Sequence, residues 1–89
     1  MPVDSFASFV DSPMAPAASC FAVTPSDTQD LPQVTKAIYV GTGGDVVLLP
    51  VRATAPVTFR NVPAGAVLDV RVRAIRTSGT TAADIVGLA

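Results

Sequence analysis

Beyond Cys20 the chain is cut by a turn signal every 8–12 residues or so, and the pieces between are short, apolar and rich in β-branched residues. That rhythm suits strands and leaves no room for a helix of ordinary length. The runs are CFAVT (20–24), VTKAIYV (34–40), DVVLLPV (45–51), VTFRNV (57–62), AVLDVRVRAIR (66–76) and DIVGLA (84–89). Alternation sets their faces. Ile38 and Val40 share a face, with Lys36 tolerable only at the strand end. Val57, Phe59 and Asn61 oppose Thr58, Arg60 and Val62. In the longest run Leu68, Val70, Val72 and Ala74 oppose Asp69, Arg71 and Arg73. DVVLLPV is continuously apolar, as a strand buried on both faces would be. A parallel sheet would need crossover helices. The expected fold is therefore all-β, a small antiparallel sandwich or barrel of about six short strands.

Composition supports this. There is no Glu, a single Lys and no Trp, while 49% of the 89 residues are hydrophobic. Good helix-forming surface residues are nearly missing. The core has to come from Val, Ile, Leu and Ala, because only five residues are aromatic.

The glycine cluster in YVGTGGDVVLLP invites comparison with a phosphate-binding loop. Gly41 and Gly43 fit G-x-G-x-x-G, but Val46 stands where the third glycine belongs. The following residues are β-branched and end in Pro50, so no helix N-terminus is there to hold an anion. The expectation is a hairpin turn over 41–44. Gly41, Gly44, Pro63, Gly65 and Gly79 are read as turn residues.

Catalytic chemistry is thin, and no catalytic residue, metal site or cofactor is assigned. The chain has no His, which removes the usual general base and the common zinc sets. Its Asp residues stand singly at turn edges or in an Arg-bearing strand face. Cys20 has no partner for a disulfide and is expected to be a buried structural thiol. Asp69, Arg71 and Arg73 make a charged strand face. Net charge −1 and the lack of interleaved aromatics speak against nucleic acid. A subunit-interface ladder is the expected role.

Residues 1–30 hold four Asp and no Lys or Arg, whereas residues 31–89 hold six Lys+Arg and three Asp. No positively charged start precedes an apolar stretch, so export by a signal peptide is not expected, and neither is membrane insertion. SPMAPAAS reads as extended linker. Ahead of it Phe6, Phe9 and Val10 follow an i, i+3, i+4 spacing, too short to stand alone as helix. The reading is an extended N-terminal arm over 1–19, with those three side chains anchoring it to a partner, and a β domain over 20–89. A domain this small, without staples or metal, is expected to self-associate.

Two stretches resemble a known family. FAVTPSDTQDLPQVTKAIYVGTGGDV and VTFRNVPAGAVLDVRVRAIRTSGTTAADIVGL are similar to the head-spike base proteins of gene transfer agents and related tailed phages, over residues 21–88. The resemblance implies a non-enzymatic virion protein on the head surface, made in the bacterial host cytoplasm. It implies a homopentamer at the capsid vertices, with the major capsid protein and a spike fibre as partners. That fibre contributes to host-surface attachment. It implies no catalytic residues, and TSGTT (77–81) falls where a tip loop could meet the fibre. A carbohydrate-binding module, with Tyr39 as its exposed aromatic, and a capsid decoration protein are the rival readings.

Overall fold

The computed structural model describes Ser12 and residues 14–89. Within these the chain makes seven strands: β1 (Cys20–Ala22), β2 (Ala37–Thr42), β3 (Gly44–Pro50), β4 (Val57–Val62), β5 (Ala66–Leu68), β6 (Val72–Ile75) and β7 (Ala83–Leu88). They form two antiparallel sheets, ordered β1-β7-β2-β5 and β4-β3-β6. The all-β expectation holds, with one strand more than the six runs suggested.

Residues 37–50 are the spine. β2 lies in the first sheet and β3 in the second, with Gly43 between them. β5 and β4 pair along one side of this spine, β7 and β6 along the other. Each of the three tracks thus bends from one sheet into the other. Apolar side chains of both sheets meet in between. Ile38, Val40 and Ile85 come from the first sheet; Val46, Leu48, Val62, Val72 and Ile75 come from the second. Phe21 and Phe59 are only half-buried, so the sealed centre is aliphatic, as composition required. β3 is buried on both faces: adjacent Leu48 and Leu49 are 0% and 2% exposed.

The outer edge of β6 is not left open. Ser26 N–H donates to Ile75 O (2.9 Å), Leu31 N–H to Arg73 O (2.8 Å) and Thr35 N–H to Val72 O (3.0 Å). Val72 N–H donates in turn to Thr35 Oγ1 (3.1 Å). Thr35 is fully buried, and this exchange satisfies its hydroxyl. The connector 25–35 therefore caps a sheet edge that would otherwise template further pairing.

Three expectations need correction. The run 66–76 is not one strand: β5 pairs in the first sheet, β6 in the second, and Asp69–Arg71 crosses between them. Alternation carries straight through the crossing, and no Gly or Pro marks it. Residues 41–44 are not a hairpin turn. Gly41 lies inside β2, and β2 and β3 continue one another rather than pair. Finally, Asn61 does not share a face with Phe59 in an unbroken alternation. Gly44 pairs with Val62 but Val46 with Phe59, so β4 carries an extra residue. Asn61 takes it up at φ 56°, a conformation Asn tolerates, and both Phe59 and Val62 then reach the core.

Candidate assembly interface

The loop 77–81 is bound into the body rather than projecting from it. Thr81 Oγ1 accepts Asp45 N–H (2.8 Å), and Thr80 Oγ1 accepts Val47 N–H (3.0 Å). Asp45 O accepts the N–H of Thr81 and of Ala82. From the other side Asp27 reaches across. Its Oδ1 accepts Thr77 N–H and Ser78 N–H (both 3.0 Å), and its Oδ2 accepts the Ser78 hydroxyl (2.8 Å). Thr77, Ser78 and Gly79 remain exposed.

The Ser78 amide, then the Ser78 hydroxyl, hold the Asp27 carboxyl below its ordinary value of 3.8. The folded value is thus lower than the unfolded one. The bonds contribute their full share above the unfolded value and lose it as pH falls through the folded one. Asp27→Asn should therefore be less stable than wild type at pH 7, and the gap should close below 3.8. Urea midpoints at pH 7 and in the acid range check this.

The predicted site residues are scattered. Phe6, Phe9 and Val10 lie outside the described residues. Asp69 and Arg71 are exposed on the crossing between sheets, but Arg73 pairs with Asp30 of its own chain at 3.3 Å. The three make no continuous strand-face ladder, because β6 begins only at Val72. Gly65 (φ 82°) and Gly79 (φ 88°) sit in turns with positive φ. Pro63 precedes the turn at Ala64 and Gly65. Gly41 lies against Asp84, and Gly44 against Thr81 and Ala82. Cys20 is exposed rather than buried, because on this edge strand it is Phe21 that turns inward, with its ring against Gly87.

The described residues hold no group of three or more metal-ligating side chains. The recesses described are shallow, about 270 and 220 Å³, and open to solvent. What the structure does offer is a surface. On the first sheet the register aligns Ala22, Val86, Tyr39 and Val67 in one row across all four strands. The inward side chains are Ile38, Val40 and Ile85, so this row faces out. The next row on the same face holds Cys20, Leu88 and Ala37. All seven are apolar. Tyr39 is 38% exposed and Val67 58%. Sequence alternation could have revealed each strand's outward residues, but not that they line up.

The chain is 38% identical to a chain of a solved structure, the capsid of a native GTA particle computed with C5 symmetry. The TM-score is 0.86, and the match covers 98% of this chain and 100% of that one. The chain belongs to the family of that gene transfer agent capsid protein. No protein-family model and no curated protein matches it. A gene transfer agent capsid protein is a virion structural component. The sandwich, the bent spine and the capped edge are the form that role takes here.

Proposed function

We propose that this protein is the base of a head spike: a non-enzymatic ring of five copies at the capsid vertices, joining the major capsid protein to a spike fibre used in host-surface attachment. The observation that carries the reading is the end-to-end likeness to a capsid chain from a particle treated with fivefold symmetry. The family motifs over 21–88 support it, and so does the apolar outward face of the first sheet.

The acidic segment ahead of the domain would engage the capsid, with Phe6, Phe9 and Val10 as anchors, since buried aromatics dominate interface energetics. The pairing with β7 starts before β1. Ala18 and Ser19 N–H donate to Ala89 O, and Ala89 N–H donates back to Ser19 O. The informative truncation is therefore 1–13, which spares these bonds. The truncated protein should keep its unfolding midpoint and be missing from purified particles, whereas the full chain decorates them at vertices. Truncated protein that still decorates particles would show the arm is not the anchor. Particles whose vertex projections survive loss of the whole protein would sink the spike-base reading.

A further inference from the structure

A closed ring of five cannot be built from one self-complementary patch. Each copy must present two different surfaces that fit each other. The described residues offer such a pair.

The first surface is the outward row Ala22, Val86, Tyr39 and Val67. The exposed charges bordering it are two acids and one base: Asp84 begins the same face of β7, Asp69 follows β5, and Arg71 lies two residues beyond Asp69. The second surface is β4 with the loop before it. β3 pairs along one edge of β4, and β4 closes its sheet on the other side. Val57 is 45% exposed there, after exposed Ala55 and Pro56. The exposed charges on this stretch are basic, Arg52 and Arg60; Arg60 keeps most of its side chain in solvent (74%) beside Asp45 at 3.5 Å. Two apolar surfaces, one bordered by a net negative charge and the other carrying Arg52 and an Arg60 that Asp45 partly offsets, are complementary in polarity and opposite in net sign. They also lie on different sheets, so one copy can use both at once.

We infer that the outer face of the β1-β7-β2-β5 sheet of one copy docks on the β4 edge and the 51–56 loop of the next copy. This rests on the ring reading above and names the contact that would close it.

Complementation tests it on the full-length chain, by native mass and sedimentation over a concentration series. Val67→Asp spoils the first surface and Val57→Asp the second. Both side chains are well exposed in one copy, so the variants should fold with unchanged urea midpoints; Ala22→Asp replaces V67D if its midpoint moves. Each variant alone should weaken assembly by about 100-fold or more, as a charge buried at an interface centre does. Mixed one to one, V67D and V57D should form a dimer and stop there. The intact sheet face of V57D meets the intact β4 edge of V67D, and the other ends are blocked. If V67D or V57D assembles like wild type, the surface assignment is overturned while the ring stands. A wild-type chain that stays monomeric at every concentration overturns the ring reading, and the docking contact with it.

Discussion

Replacing Gly44 by alanine is expected to cost about 2–6 kcal/mol, from strained backbone and a forced overlap of roughly 1–3 kcal/mol each. Gly44 sits at φ 154°, a region side-chain-bearing residues rarely adopt. A Cβ there would lie 2.7 Å from Ala82 N and 2.9 Å from Thr81 C. Those are backbone atoms, pinned by the hydrogen bonds of Thr81 and Ala82 to Asp45 O. Nothing flexible can give way. An 89-residue domain has about 4–13 kcal/mol of stability in all, at 0.05–0.15 kcal/mol per residue. G44A should therefore remove a large share of that stability and lower the urea midpoint markedly. Gly65→Ala is the matched control. It has φ 82° and nothing within 4 Å of the added Cβ, so only the left-handed backbone is penalised, by about 1–2 kcal/mol. Urea denaturation of both variants gives the comparison. Equal losses would mean that the close approach at the corner is relieved elsewhere.

That contrast also explains what the sequence conceals. Turn signals and alternation locate the strands, because they are local consequences of backbone sterics and one-sided burial. They identified β3 and β4 closely, and the two-sided burial of β3 from its unbroken apolar run, but the run 34–40 starts ahead of β2 and stops short of Thr42. They do not say which sheet a strand joins. Gly43 and Gly44 look like any hairpin signal, yet here they let the spine turn a corner against 62–64 and 81–82. Asp69–Arg71 turns a corner with no signal at all, since the crossing keeps the inward and outward alternation intact. The bulge at Asn61 is legible only once Gly44 is known to pair with Val62.

The candidate surfaces divide the same way. An apolar outward position on one strand is unremarkable. Ala22, Val86, Tyr39 and Val67 become a surface only through register, which is a property of pairs of strands. Asp27 was visible as a turn residue, but its three bonds span about 50 positions of sequence to Thr77 and Ser78. The family motifs, by contrast, were readable directly, and they led to the same capsid setting that the structural likeness supplies.

Leu48→Ala should be the most damaging of the core truncations. Leu48 is fully buried on the central strand of its sheet, paired with Val57 on one side and Ile75 on the other. Leu→Ala at such sites costs about 2–5 kcal/mol, because close-packed neighbours on two flanks cannot collapse into the space. Leu88 provides the comparison. It is half-buried, on the outward face of the first sheet, beside Cys20 and Ala37. Truncating it opens a surface notch rather than a cavity, so Leu88→Ala should cost about 1 kcal/mol or less of monomer stability. The two variants should separate by urea midpoint at dilutions where copies are apart. Under the ring proposal, assembly stabilises the folded copies as concentration rises, so the L48A midpoint should climb. If copies dock through this face as inferred above, L88A loses part of the contact, and its midpoint should climb less than that of wild type. Loss of stability in L88A equal to that in L48A would mean that this face, rather than the space between the sheets, holds the monomer together.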